Sequence, residues 1–150
     1  MKIVMVCLGN ICRSPLAEGI LTSKAAEKGL PWQVDSAGTS AYHIGEKPDS
    51  RSVLVAQKNG IDISKQRARQ FMVSDFDRFD LIYAMDTSNY NKIRRLARND
   101  ADKNKVLLIL NEVYPNENRA VPDPYWDNDG FTKVFYMLEE ACANIVEKYA

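Results

Sequence analysis

The fold of this chain is decided near its N-terminus, where an apolar run passes into a short loop and then into the start of a helix. The stretch reads Ile3-Val4-Met5-Val6-Cys7-Leu8-Gly9-Asn10-Ile11-Cys12-Arg13-Ser14-Pro15. The run Ile3–Val6 predicts a buried strand. Ser14 suits the N-cap and Pro15 the first helical position, because serine accepts an orphan NH group and proline lacks one. The stretch therefore predicts a strand, a tight loop and a helix that begins near Pro15.

The loop in this stretch has the composition of an anion site. Gly9 and Asn10 tolerate positive φ, so the backbone can curl and turn successive NH groups inward. Such a curl at a helix N-terminus binds anions and favours the thiolate form of Cys7 over the thiol. Arg13 adds a planar cation that matches two oxygens of a phosphate. A nucleophile, an anion cradle and a fixed cation this close together predict phosphoryl transfer through cysteine.

Beyond the loop, apolar runs of strand length alternate with helical patterns. Strands are predicted at Ile3–Val6, Gln33–Ser36, Leu81–Ala84 and Val106–Ile109, and helices at Pro15–Lys28, from Asp49 or Ser50 to Asn59, at Thr87–Leu96, and from Asp129 or Gly130 onward. Residues 111–130 hold three of the six prolines and predict a long surface loop. We expect one domain over residues 1–150, a doubly wound four-stranded parallel sheet with helices on both faces. Its ligand would lie at the carboxyl ends of the strands.

Composition excludes several classes of protein. Lys+Arg and Asp+Glu balance at 20 each, so bulk charge draws the chain to neither nucleic acid nor anionic membrane. No run approaches the ~20 apolar residues of a membrane span. Three cysteines without a secretory signal predict a reducing, cytoplasmic setting. One histidine and three cysteines form no zinc-type ligand set, so neither a metal nor another cofactor is expected. A monomer is expected because no spare apolar helix face stands out.

The motif and a distal Asp-Pro give the chain a family resemblance. Cys-x-Gly-Asn-x-Cys-Arg-Ser-Pro near the N-terminus, with Asp123-Pro124-Tyr125 near the other end, resembles the low-molecular-weight protein tyrosine phosphatases. The likeness runs along the chain through Ser36-Ala37-Gly38-Thr39, Ala68-Arg69-Gln70 and Asp80-Leu81-Ile82. It implies a flavodoxin-like fold of the phosphotyrosine phosphatase I type. It also implies metal-independent hydrolysis of phosphotyrosine and small aryl phosphates, with inhibition by phosphate and vanadate.

The resemblance also implies roles for individual residues. Cys7 would be the nucleophile that forms a phosphocysteine, Arg13 would hold the phosphoryl oxygens, and Asp123 would act as general acid and then as base. An acid that must be protonated while Cys7 is ionised predicts an activity optimum on the acidic side of neutrality. The phosphate loop would be formed by Leu8, Gly9, Asn10, Ile11, Cys12 and Ser14.

Further residues are expected around this centre. Ser14 can donate its hydroxyl to the Cys7 sulfur. The family's matching asparagine bonds a serine that corresponds to Ser36, and Asp86 either joins this supporting network or only caps a helix. Tyr42, Tyr125 and Trp126 are expected to form the cleft wall around an aromatic ring.

Four sequence details refine the expectation. Ile11 favours phosphotyrosine, because a threonine at this position marks relatives directed at phosphoarginine. Gln66 stands where eukaryotic members commonly carry a histidine that supports the loop serine. Cys12 is expected to be packed, or to act as a redox partner that traps oxidised Cys7 as a disulfide. Cys142 lies at helical spacing within an apolar stripe and is expected in the core.

Two other functions fit parts of the sequence. Arsenate reductase shares the fold and loop but needs relay cysteines, and none follows the strand Leu81–Ala84. A non-catalytic phosphate-binding module would require a broken catalytic set, whereas Cys7, Arg13 and Asp123 are all present.

Overall fold

One parallel sheet of four strands organises the molecule in the computed structural model, which describes all residues from Met1 to Ala150. The strands are β1 (Lys2–Cys7), β2 (Gln33–Gly38), β3 (Leu81–Ala84) and β4 (Val106–Leu108). Their spatial order is β2-β1-β3-β4, and all neighbours pair in parallel. The predicted four-stranded parallel α/β fold is confirmed. The chain winds from β1 to β2 on one side and to β3 on the other, which places a topological switch point at the carboxyl end of β1.

Helices cover both faces of this sheet. They are α1 (Arg13–Glu27), α2 (Ser50–Lys58), α3 (Asp75–Arg78), α4 (Thr87–Leu96), α5 (Asp100–Asn104) and α6 (Gly130–Tyr149). Successive side chains of β1 point to opposite faces, so Ile3 and Met5 join one apolar cluster with α1, α2 and α6. Val4 and Val6 join a second cluster with α3 and α4. β1 is therefore buried on both sides. No helix is long and apolar enough to cross a membrane.

Local chemistry sets most helix boundaries where the sequence predicts them. The Asp49 carboxylate accepts a hydrogen bond from the Arg51 NH at 2.9 Å, and Asp86 accepts one from the Asn89 NH at 2.8 Å. These N-caps start α2 and α4. Gly29 follows α1 with a φ of +67°, the left-handed conformation that commonly ends helices.

Some predictions at the element ends are wrong. Ser14 is not an N-cap, because α1 begins at Arg13 and Cys12 occupies the cap position without a side-chain bond. The Ser14 hydroxyl is engaged instead with the Cys7 sulfur. Pro15 is consequently the third helical residue, a place where the missing NH still costs nothing.

The sequence patterns did not predict two short helices, α3 and α5. α3 has four residues and α5 has five, which is too short for a helical period to show. Residues 111–130 are mostly irregular, as predicted, but they include a 3-10 turn at Pro124–Trp126. Val121 in this stretch is fully buried and is therefore not a surface residue.

Candidate active site

Cys7 ends β1 at the switch point and lies beneath a cleft. Its residue is 3% exposed, and its sulfur lies 3.0 Å from the Ser14 Oγ. The Asn10 Nδ2 donates to the same Ser14 oxygen at 2.8 Å. Because that oxygen already accepts a bond, the Ser14 proton can be donated to the sulfur. The contact between Cys7 and Ser14 is the one expected from the sequence.

Several carbonyl groups of the loop that begins at Cys7 are hydrogen-bonded to neighbouring segments. The carbonyls of Cys7 and Leu8 accept bonds at 2.9 Å from the NH groups of Thr39 and Ser40, and Ile11 accepts one at 2.8 Å from Asp49. The NH groups of residues 8–12 donate to no acceptor within the protein. Buried backbone groups are almost always paired, so a row of free NH groups beside a cleft is suited to an anion.

Glycine and asparagine allow the tight course of this loop for different reasons. Asn10 adopts a positive φ of 57°. Gly9 does not, but a Cβ there would lie 2.9 Å from the ring of His43. A Cβ on Gly38, the last residue of β2, would lie 2.8 Å from the Leu8 carbonyl oxygen. Gly38 therefore allows the loop to rest directly on the sheet.

Arg13 connects the loop to two other segments. It is 3% exposed, and its Nη1 donates to the Asp86 carboxylate at 2.7 Å and to the Val121 carbonyl at 3.0 Å. Burial opposes the guanidinium charge, but Cys7 and Asp86 outweigh it and raise the pKa of Arg13. Its Nε and Nη2 have no protein partner, so they remain for a ligand. Asp86 thus both caps α4 and holds Arg13.

The cleft above Cys7 has a volume of about 310 Å³. It is lined by Cys7, Leu8, Gly9, Ile11, Cys12, Arg13, Tyr42, His43, Asp123, Tyr125 and Trp126. This arrangement places the predicted nucleophile, cation, acid and aromatic residues at one cavity. Asn10, Ser14, Ser36 and Asp86 lie behind it as supporting groups.

Asp123 and the aromatic residues form the open side of the cleft. The Asp123 carboxylate is exposed and accepts a bond from the Tyr125 NH at 3.1 Å, which fixes the 3-10 turn that follows it. The rings of Tyr125 and Trp126 meet edge to face at 4.8 Å. Tyr42 is 80% exposed and Trp126 is 88% exposed. These rings are free to pack against a ligand.

Arg51 is a residue of this site that the sequence did not reveal. Its guanidinium bonds Asp49 at 2.9 Å and the Asn128 side chain at 2.6 Å. It also lies 4.5 Å from the centre of the Phe131 ring and 5.6 Å from that of Tyr125. Arg51 therefore braces the segment that follows Asp123. No local pattern indicates such contacts, because they join distant parts of the chain.

Glu18 is the second residue that sequence reasoning missed. Asn10 donates to the Ser36 hydroxyl at 2.9 Å, and Ser36 donates to the Glu18 carboxylate at 2.8 Å. Gln66, where the family often has histidine, does not join this network and donates to the Pro15 carbonyl at 3.1 Å. The available signal was that Glu18 follows Ser14 by four residues and so shares its helix face.

The other two cysteines differ from Cys7 in their surroundings. Burial raises the pKa of the Cys12 thiol, and Asp49 and Cys7 raise it further, so Cys12 remains a thiol. Cys142 is fully buried in the core, as predicted, and burial raises its pKa to about 12. No three His, Cys, Asp or Glu side chains are grouped to hold a metal ion.

A doubly wound sheet with an NH-lined loop, a buried arginine and a cysteine at its switch point defines a class of phosphate-binding α/β protein. Comparison with known proteins makes this more specific. The chain belongs to the low molecular weight phosphotyrosine protein phosphatase family, whose sequence model matches residues 2–150. A member from Schizosaccharomyces pombe is 39% identical over 153 residues, covering 99% of this chain and 97% of that protein.

Solved structures agree with this assignment. A protein tyrosine phosphatase from Entamoeba histolytica superposes with a TM-score of 0.92 at 37% identity, covering 99% of this chain and 96% of the other. A Drosophila arginine phosphatase also superposes with a TM-score of 0.92 at 30% identity, covering 99% of this chain and 98% of the other. The fold is therefore shared by proteins named for two different phosphorylated residues.

Proposed function

We propose that this protein hydrolyses phosphotyrosine in proteins or peptides, and small aryl phosphates, through a phosphocysteine intermediate. The observation that carries the proposal is that Cys7, Arg13 and Asp123 line one cleft. Its floor is a loop whose NH groups have no protein partner. Family membership supports a tyrosine phosphatase activity.

In the first step, the Cys7 thiolate attacks phosphorus in line with the tyrosyl oxygen. The sulfur–phosphorus bond forms as the phosphorus–oxygen bond breaks, and Asp123 gives its proton to the departing phenolate. The loop NH groups and the free donors of Arg13 hold the three equatorial oxygens, where negative charge spreads in the transition state.

In the second step, water hydrolyses the phosphocysteine. Asp123, now ionised, takes a proton from the water as its oxygen attacks phosphorus. The sulfur–phosphorus bond breaks, inorganic phosphate leaves, and the thiolate of Cys7 returns. The hydroxyl of Ser14 stabilises the sulfur as it leaves, because it can donate to Sγ across 3.0 Å.

Cys7 is assigned as the nucleophile rather than Cys12. Both line the cleft, but burial raises the pKa of Cys12 and keeps its thiol protonated. Arsenate reduction is disfavoured because the third cysteine, Cys142, is buried in the core and does not line the cleft.

The aromatic wall supports phosphotyrosine as the substrate class. Tyr42, Tyr125 and Trp126 surround the opening, and the apolar Ile11 lines it. A phenyl ring between such side chains buries apolar surface, whereas a guanidinium chain would need acceptors that Ile11 lacks. Phosphotyrosine and phosphoarginine peptides of one sequence, compared by kcat/KM, test this choice directly.

The same site supports the remaining expectations. Phosphate and vanadate should inhibit by occupying the anion cradle, and no metal is required by the steps above. The three cysteines are unpaired, which is consistent with a reducing cytoplasmic compartment. We propose a monomer as the working form.

The deciding experiment measures hydrolysis of p-nitrophenyl phosphate across pH, with EDTA present. Cys7→Ser should abolish turnover, and Asp123→Ala should lower kcat by about 10²–10⁴-fold, the usual contribution of a general acid. Asp127→Asn is the matched control, because Asp127 lies on the same loop but does not line the cleft. Wild-type activity should peak below neutral pH. Full activity in Cys7→Ser would contradict the mechanism.

A further inference from the structure

Glu18 is a carboxyl group that contacts the network behind Cys7, and the proposed reaction does not use it. Glu18 lies on α1, one helical turn after Ser14. Its Oε1 accepts the hydroxyl of Ser36 at 2.8 Å. Ser36 in turn accepts a bond from Asn10, which also donates to Ser14 beside the nucleophile. An unbroken series of side-chain hydrogen bonds therefore joins Glu18 to Cys7.

The direction of every bond in this series follows from Asn10 and Glu18. The Asn10 Nδ2 donates one hydrogen to Ser14 at 2.8 Å and the other to Ser36 at 2.9 Å. Its Oδ1 accepts from the Arg69 NH at 3.1 Å, which prevents the amide from turning over. The Ser36 hydroxyl must therefore donate its own hydrogen bond to another group, and the acceptor is Glu18. Ser14 also accepts from Asn10, so its own proton is free for the Cys7 sulfur at 3.0 Å or the Ala37 carbonyl at 3.5 Å, and the sulfur is the nearer partner.

The surroundings allow the charge on Glu18 to change. Burial raises the pKa of Glu18 to about 7, with a smaller rise from Asp35, while the bond from Ser36 and the charge of Arg69 act against it. Glu18 also lines an open cavity of about 290 Å³ together with Asp62, Lys65 and Gln66. Water can therefore reach the carboxyl group and exchange its proton.

We propose that Glu18 is a positioning residue for Cys7. The ionised carboxylate of Glu18 strengthens, through Ser36 and Asn10, the hydrogen bond that Ser14 donates to the Cys7 sulfur. This inference rests on the proposed function, because it takes Cys7 as the nucleophile. A charged acceptor forms a hydrogen bond about twice as strong as a neutral one. A protonated Glu18 and a glutamine are both neutral at this position, so Glu18→Gln mimics the protonated state at all pH values.

The test compares kcat of the wild type and Glu18→Gln for p-nitrophenyl phosphate across pH. Taking the ratio removes the pH dependence of the substrate, which is the same in both assays. The ratio of wild type to variant should lie near one at about pH 6 and rise to about five-fold at about pH 8. A ratio that does not vary with pH would mean a merely structural role. A ratio that falls with pH would mean direct charge repulsion of the thiolate, and either result overturns the proposal.

Two control variants test whether the effect of Glu18→Gln on kcat passes through the hydrogen bonds. Ser36→Ala breaks the series, so adding Glu18→Gln to it should leave kcat unchanged at every pH. Glu27→Gln removes a carboxylate from the exposed end of the same helix, and its ratio to the wild type should be flat. A pH-dependent effect of Glu18→Gln that survives in the Ser36→Ala background would contradict the route through Ser36.

A measurement without turnover separates this proposal from the proposed function. The side-chain amide signal of Asn10, followed by NMR, should shift with a midpoint at about pH 7 in the wild type, the value that burial gives Glu18. The shift should be absent in Glu18→Gln. A wild type that fails to hydrolyse p-nitrophenyl phosphate would refute the proposed function. An Asn10 signal that does not titrate would refute the role of Glu18.

Discussion

The free energy of unfolding should depend on pH through Glu18, and Glu18→Gln isolates that dependence. In the folded protein the pKa of Glu18 is about 7, against an ordinary value of 4.5, and burial is the main cause. Between these two values the unfolded chain releases the proton while the folded chain keeps it. The folded state then binds more protons than the unfolded state, so stability falls as pH rises through this window.

The magnitude follows from the width of the window. Each pKa unit corresponds to about 1.4 kcal/mol, so the rise from 4.5 to about 7 corresponds to about 3 kcal/mol. Between about pH 4 and about pH 8, the free energy of unfolding of the wild type should therefore fall by about 3 kcal/mol relative to that of Glu18→Gln. The loss is complete above the folded pKa and absent below the unfolded one.

Urea unfolding followed by far-UV circular dichroism measures this quantity. Other ionisable groups titrate alike in both proteins, so they cancel in the difference between wild type and Glu18→Gln. Glu27→Gln serves as the control, because Glu27 is exposed on the same helix. A difference that stays constant across the window would refute the reasoning, since it would show that burial does not hold the proton on Glu18.

Three further predictions concern the cleft. Arg51→Leu should keep apolar packing on Phe131 but lose the bonds at 2.9 Å and 2.6 Å that brace residues 123–129, the acid loop. Steady-state assays should therefore show a several-fold lower kcat. Gly38→Ala places a Cβ 2.8 Å from a loop carbonyl oxygen, and it should lower both kcat/KM and the free energy of unfolding, the latter by about 1–3 kcal/mol. Mild peroxide should inactivate the enzyme by joining Cys7 to Cys12, which mass spectrometry detects as an intramolecular disulfide.

Each of these predictions has an outcome that opposes it. Unchanged kcat in Arg51→Leu would show that the acid loop holds itself in place. Wild-type kinetics in Gly38→Ala would mean that the loop does not need its close approach to β2. Peroxide-inactivated protein without a bond between Cys7 and Cys12 would exclude redox protection by this pair.

The sequence by itself determined the parts of this protein that depend on neighbouring residues. The apolar run before Cys7 predicted a buried strand, and the pairs Asp49-Ser50 and Asp86-Thr87 predicted two helix starts to within one residue. The motif from Cys7 to Arg13 specified the anion loop, because a nucleophile, flexible turn residues and a cation within one loop must stay close together however the rest of the chain folds. These expectations needed no knowledge of distant contacts.

Ser14 shows where local reasoning fails. Its residue type and position suit an N-cap, yet α1 begins one residue earlier and the hydroxyl faces Cys7 at 3.0 Å. Capping preference is worth about 1 kcal/mol, which is small enough for a tertiary contact to override it. The short helices α3 and α5 were missed for a related reason, since packing rather than a repeating pattern sustains so few residues.

Only the tertiary structure decided which remote groups support the site. Arg13 bonds the Val121 carbonyl from 108 residues away, and Ser36 meets Glu18 across the packing of β2 against α1. No sequence pattern records such pairs, because sheet register and helix packing bring them together. The sequence determined the reacting groups, and the packing of helices on the sheet determined the groups that hold them and set their charge.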